Sequence, residues 1–438
     1  MSLLIVGLGV CLLLVLMVRF HLNAFLALII VALLVGVAEG MTVHSSLKAV
    51  TEGLGSTLGS LALILAFGAM LGKLVEESGA AHKIAYSLIH VFGEKKMQWA
   101  VLLTSFIVGI PMIYNAGFLV IIPLLYTIAS AAKKPLLYLG IPMCSALSVA
   151  HGLLPPHPAP SAIAVLYEAD INMTLVYGLL ISLPALVIAG PLFSTFFKKV
   201  IVHPPEGLYK ERTFKPEELP GLGISLLITL FPVLLMLLGV VADLNIPETS
   251  PVHTAFKFIG DPNIALLLAV LFGIYFLGIR LGRKIKEVMN SLSGSVASIA
   301  MILLIIAAGG AFKEVLLRSG VSEYIKVITS GTSLSPLLLA WCVSAVIRMA
   351  IGSAQVAAIT ASGIVLPLLQ GSGIRPELMV LATSSGSLMF SHVNDIGFWM
   401  FKEYFNLSIK QTFLSWTIME TIVSVTGLIG VLILNMFL

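Results

Sequence analysis

Apolar runs close to the length of a membrane span recur along the whole 438-residue chain, separated by short polar or basic stretches. A helix needs roughly 20 apolar residues to cross a bilayer. The pattern therefore predicts spans at about 3–18, 23–38, 54–74 and 173–195, and again at about 223–243, 263–280, 292–313 and 412–436. Between these runs the periodicity changes. Residues 75–97 are amphipathic, with Ile84, Leu88 and Val91 on one face, and read as an interfacial helix. Residues 98–132 are apolar but broken by Gly109, Pro111, Asn115, Gly117 and Pro123. That stretch is too long for one span and poor as two, which predicts a re-entrant hairpin with its tip near "PMIYNAG". The run 136–168 is interrupted by "HGLLPPHPAP", the mark of a discontinuous helix. The second half carries an amphipathic piece, "EVLLRSGVSEYIKVI", and a Gly-broken hairpin, "VIRMAIGSAQVAAITASGIVLPLL". A broken segment containing "SHVNDIGFW" follows. The first run, "LLIVGLGVCLLLVLMV", reads as a span with its N-terminus outside rather than as a signal peptide, because Arg19 and His21 follow it and no basic residue precedes it.

The two halves resemble each other. "LALILAFGAMLGKLVEESG" aligns with "ILLIIAAGGAFKEVLLRSG", and "VIIPLL" at 120–125 with "IVLPLL" at 364–369. "PHPAPSAIAVLYEADINMT" aligns with "SHVNDIGFWMFKEYFNLS", which puts His157 on His392. The 172–174 and 406–408 triplets are expected to cap the helices that follow. Lys and Arg concentrate at Arg19, Lys95, Lys96, Lys133, Lys134, the 197–222 linker and "RLGRKIK" at 280–286. Placing all of them on the cytoplasmic side requires an odd number of crossings per half. The expectation is an all-α polytopic membrane protein built as two inverted repeats. Residues 1–196 form the first, 197–222 a cytoplasmic linker, and 223–438 the second. Each has about five transmembrane helices, a re-entrant hairpin and a broken helix, and both chain ends lie outside. Secondary transporters use this architecture and bind substrate at mid-membrane, where the breaks meet.

Composition agrees. The chain is 58% hydrophobic and 11% charged, with a mean hydropathy of +1.07, far from a soluble domain. A net charge of +4 gives no reason to invoke nucleic acid. Cys11, Cys144 and Cys342 lie far apart in apolar runs without metal spacing and read as buried packing residues. Enzyme motifs are missing: there is no G-x-S-x-G, H-E-x-x-H or Walker A, and no cofactor or metal is implied.

Polar residues collect at four breaks: "YNAG" with Tyr114 and Asn115, "PPHPAPS" with His157 and Ser161, "GSAQ" with Ser353 and Gln355 followed by Thr360, and "SHVND" with His392, Asn394 and Asp395. Cut helix ends offer free backbone N–H groups to a carboxylate, and hydroxyl and amide side chains suit a polyol. Serines and threonines in apolar helices also bond their own backbone, His151 can cap a break, and Lys73 and Lys313 can snorkel. Arg348 lies too deep to snorkel. It is either paired with an intramembrane acid, for which Glu420 is a candidate, or available to an anion. Asp395 beside His392 suggests proton exchange, against a structural aspartate satisfied by backbone N–H groups.

"SVAHGLLPPHPAPSAIA", "IGSAQVAAITASGI", "FSHVNDIGFWMFKEYFNLS" and "PPEGLY" closely resemble the gluconate permease family of bacterial sugar-acid:proton symporters. The resemblance implies a multi-pass protein of the bacterial inner membrane that imports gluconate or a related sugar acid. A proton, or sodium in its place, would be the coupling ion, and a homodimer is one assembly the wider superfamily uses. The D-serine transporters are similar as well, so another small hydroxylated carboxylate stays open as substrate, and a passive anion channel is the reading from a different class. Family members carry an acid where this sequence has Asn115, Gly where it has Ala159, and Pro where it has Ile396.

Overall fold

The structure, a computed structural model, is described for residues 2–93, 96–202, 219–320, 335–369 and 372–438. Every regular element among them is helical. The apolar runs fold first as α1 (Ser2–Val18), α2 (Ala24–Ala38) and α3 (Val43–Glu77). The Asn23 and Thr42 side chains accept N–H groups at the starts of α2 and α3. Next come α4 (Ala80–Phe92), α5 (Met97–Gly109) and α6 (Tyr114–Ala131), then α7 (Leu136–Leu153) and α8 (Pro158–Leu166). α9 (Ile171–Val187) runs on through a wider turn to Phe197.

In the second half α10 (Leu222–Asn245), α11 (Pro251–Ile259) and α12 (Pro262–Gly273) precede α13 (Ile285–Ser298) and α14 (Ala300–Arg318). After them come α15 (Pro336–Ile351), α16 (Ala354–Leu369), α17 (Pro376–Gly386), α18 (Ile396–Tyr404) and the long last helix α19 (Ile409–Leu434). Seven of these helical stretches are long and apolar enough to cross a bilayer. The chain is an integral membrane protein.

Both expected hairpins are present. α5 and α6 meet at the turn 110–113, and α15 and α16 meet at 352–353. Both broken helices are present too: α7 and α8 are separated by 154–157, and α17 and α18 by 387–395. The order hairpin, broken helix, long helix thus occurs once in each half. A matching detail is the left-handed residue after each second half-helix, Glu168 at φ +57° and Asn406 at φ +51°. α3 and α14 lie across each other with their backbones close: a Cβ on Gly53 would sit 2.5 Å from the Gly310 carbonyl. Small residues permit this approach, as membrane helix pairs commonly require.

Several expectations need correction. The span expected at 292–313 is two helices that break at Ile299, after the Ser-rich stretch of α13. The short amphipathic α11 was not expected; Ser250 caps it, and Lys257 ties it to Asp243 at 2.5 Å. On α4, Ile84 is buried but Val91 points away from the protein, because the packed face is Ala80, Ala81, Ile84 and Ala85. Cys11 and Cys342 lie on the outer surface, and only Cys144 is buried. Asp170, upstream of the 172–174 triplet, caps α9, while the Asn172 amide donates to the Gly260 carbonyl at 3.1 Å. Ser408 does cap α19, in a reciprocal pairing with Gln411. Of "EVLLRSGVSEYIKVI", Glu314–Arg318 closes α14 and the part from Val321 onward lies outside the described residues, as do Lys95 and linker residues 203–218.

Candidate functional site

Three helices begin at the wall of one cavity of about 400 Å³. Ile113, Tyr114 and Asn115 start α6; Gly352, Ser353, Ala354 and Gln355 lead into α16; Asp395, Ile396 and Gly397 start α18. The first turn of a helix leaves N–H groups without intrahelical partners and carries the positive end of the macrodipole. Three such ends around one space favour an anion there.

Arg348, on the last turn of α15, has a side chain only 3% exposed. Its Nη2 donates to Asp395 Oδ2 at 2.5 Å, and Nη1 donates to the Gly352 carbonyl. Nε is buried without a partner among the described residues. The arginine therefore pairs with Asp395 and not with Glu420. Two residues read separately from the sequence, one for the anion and one for the proton, form a single ion pair.

Asp395 is held from three sides. As N-cap of α18 its Oδ1 accepts the Gly397 N–H at 2.9 Å, while Oδ2 accepts from Arg348 and from the Ser391 hydroxyl. Ser391 in turn accepts from Trp416 Nε1 at 2.7 Å. The chain Trp416, Ser391, Asp395, Arg348, Gly352 ties the last helix, the second break and the second hairpin tip into one network.

A second polar chain crosses between the hairpins. Gln355 Nε2 lies 3.4 Å from His151 Nε2, the two histidines meet through Nδ1 at 3.3 Å, and His157 Nε2 lies 2.9 Å from the Gly109 carbonyl. The carbonyl can only accept, so His157 carries its proton on Nε2 and accepts on Nδ1. His151 then donates from Nδ1 and accepts from Gln355. One tautomer of each neutral imidazole satisfies every contact. The histidines of "HGLLPPH" do not share a helical face; the break at 154–157 is what lets them touch.

Of the residues expected at the site, Tyr114, Asn115, Arg348, Ser353, Gln355, Asn394 and Asp395 line the cavity. His157, Ser161, Thr360 and His392 do not. His157 stands behind His151, against a small adjoining space lined by Pro156, Pro158, Ile113 and Ile302. His392 Nε2 lies 3.0 Å from the Met349 carbonyl, and the Asn394 amide donates to the same oxygen at 2.8 Å. His157 and His392 thus do one job in the two halves: each engages a carbonyl in the last turn of its hairpin's first arm. Ser161 and Thr360 are buried on α8 and α16, which pack together, and their hydroxyls have no partner among the described residues.

The cavity also contains Ser148, His151, Trp416 and Glu420. His151 and Glu420 carried a signal in the sequence, one a histidine at a break and the other an acid inside the last apolar run. Ser148 and Trp416 carried none. Asn115 faces the cavity. Asn115→Glu is expected to move the pH optimum of uptake downward, because an added carboxylate must be neutralised before an anion enters. Normal expression with an unmoved pH profile would remove the first hairpin tip from the coupling step.

The chain matches the family model of the GntP family permeases over residues 1–437. It belongs to the GntP permease family. It is 50% identical over 436 residues to the high-affinity gluconate transporter of Escherichia coli K12, covering 100% of both chains. It is 49% identical over 435 residues to the Gnt-II system L-idonate transporter of the same organism, covering 99% of each. The gluconate permease of Bacillus subtilis is 44% identical over 450 residues, with 100% of both covered. Among solved structures, the YdaH transporter of Alcanivorax borkumensis shares the fold, with a TM-score of 0.62 at 18% identity over 89% of this chain and 88% of that one. MtrF of Neisseria gonorrhoeae does so as well, at 0.62 and 19% over 89% and 83%. The match to the permease family spans both hairpins and both broken helices, so the cavity is made entirely of matched residues.

Proposed function

We propose that this permease imports gluconate or a closely related sugar acid across the bacterial inner membrane together with a proton. The observation that carries the reading is the buried guanidinium of Arg348, with an unpartnered Nε, in a cavity ringed by three helix N-termini. A carboxylate suits that end of the cavity. Asn115, Ser148, His151, Ser353, Gln355 and Asn394 supply hydroxyl, amide and imidazole groups for a polyol chain. The relatives named gluconate and L-idonate transporters support the same substrate class.

In this reading the two halves are inverted repeats and the 197–222 linker lies in the cytoplasm, as the basic residues suggest. Two acids line the cavity, Asp395 and Glu420, and one guanidinium faces them. A second anion in a poorly hydrated space is costly without a compensating proton. A proton entering with the sugar acid supplies it. His392, beside Asp395 in the chain, holds the break to the hairpin tip rather than carrying the proton.

Purified protein in proteoliposomes is expected to concentrate labelled gluconate when the outside is made acidic, and to stop when a protonophore removes the gradient. Equilibration without accumulation would replace the symporter with a passive anion channel. Competition by other hydroxylated acids, D-serine among them, ranks the substrates.

A further inference from the structure

Glu420 sits on the cavity-facing side of α19 and is 2% exposed. Its Oε1 accepts one hydrogen bond, from Ser148 on α7. Among the described residues no cation lies within ion-pair distance of it, whereas Asp395 in the same cavity has a guanidinium, a hydroxyl and a backbone N–H. The groups that face Glu420 from the surrounding elements are Ser148, Cys144 and His151 on α7, Tyr114 on α6, and the Arg348–Asp395 pair. Only Arg348 is a permanent cation, and its Nη groups are already committed.

We propose that Glu420 is the residue that carries the transported proton, and that the Arg348–Asp395 pair stays intact as the clamp for the substrate carboxylate. This rests on the proton-coupled reading above and names its proton site. Glu420 lines the cavity of about 400 Å³ yet is only 2% exposed, so its carboxylate gains little solvation from that space. A sugar acid entering the cavity adds a second negative charge beside it. Ser148 is its only hydrogen-bond donor among the described residues, and binding a proton as the anion enters removes the uncompensated charge. The step is a simple protonation. Glu420 takes a proton from the outer aqueous phase as the anion enters and returns it to the inner phase as the anion leaves. The cavity's net charge is the same empty and loaded: Arg348 against Asp395 and an ionised Glu420 when empty, Arg348 against Asp395 and the substrate when loaded.

The test compares Glu420→Gln with Asp395→Asn in proteoliposomes. Each is assayed for counterflow exchange of labelled gluconate and for uptake driven by an imposed pH gradient. Glu420→Gln is expected to exchange substrate, which also reports a folded protein, but to lose the response to the pH gradient. Uptake that remains in Asp395→Asn is expected to keep that response. Ser148→Ala, which retains the acid but removes its donor, should move the pH of half-maximal uptake to higher values, a change that a packing role would not produce. A pH-gradient response retained in Glu420→Gln, or an unmoved profile in Ser148→Ala, overturns the assignment. Loss of the response in Asp395→Asn alone transfers the proton to Asp395. If the wild type itself does not respond to the gradient, the symporter reading fails and this inference fails with it.

Discussion

Replacing Arg348 with glutamine is expected to reduce uptake to background and to lower stability by about 3–5 kcal/mol, the usual cost of leaving one partner of a buried ion pair alone. The residue left behind is Asp395, which would keep the Ser391 hydroxyl and the Gly397 N–H but lose its only cation among the described residues. The Gly352 carbonyl would also lose its donor, so the second hairpin tip and the second break would part. Stability and binding separate in the double variant Arg348→Gln/Asp395→Asn. It removes both charges and should recover much of the lost expression and melting temperature. Uptake should stay at background, because no other buried guanidinium faces the three helix N-termini among the described residues. Recovery of transport in the double variant would reduce Arg348 to a structural partner.

Gly352→Ala should be almost as damaging, for a reason unconnected with charge. Gly352 ends α15 at φ +83°, where an L side chain costs about 1–2 kcal/mol. An added Cβ would lie 2.2 Å from the Asn394 carbonyl oxygen, which is backbone and cannot rotate away. Either the tip or the segment 391–395 must move, and both carry the Arg348–Asp395 contact. The expected result is loss of concentrative uptake with a clear drop in melting temperature. Gly55→Ala is the control: a Cβ there meets nothing within 4 Å. It should leave both measurements within about 0.5 kcal/mol of wild type, as surface changes usually do. Normal uptake by Gly352→Ala would mean that this contact is not required during transport.

The hairpins and broken helices were legible in the sequence because glycine and proline inside apolar runs have few other uses in a membrane. The cavity was legible where polar residues sit at a break, as at Tyr114, Asn115, Ser353, Gln355, Asn394 and Asp395. Ser148 was not, since a serine inside an apolar helix more often bonds its own backbone. The pairing of Arg348 was only half legible. That the arginine lies too deep to snorkel follows from its place in the run; whether it meets an acid, and which one, depends on how α15 packs against the 387–395 break, and no periodicity encodes that. The helix break at Ile299 escaped because neither glycine nor proline marks it.

The imidazole chain from Gln355 through His151 and His157 to the Gly109 carbonyl has a mechanical consequence. Its ends belong to the two hairpins, one in each half of the chain, and its middle is the first broken helix. Three contacts make the chain: the Gln355 amide to one ring, ring to ring, and the second ring to a backbone carbonyl. A gate that opened by moving the second hairpin tip alone would have to break the link at Gln355, and one that moved the first alone would break it at Gly109. The two tips are thus tied through the first broken helix, and neither can move alone without breaking one of these hydrogen bonds.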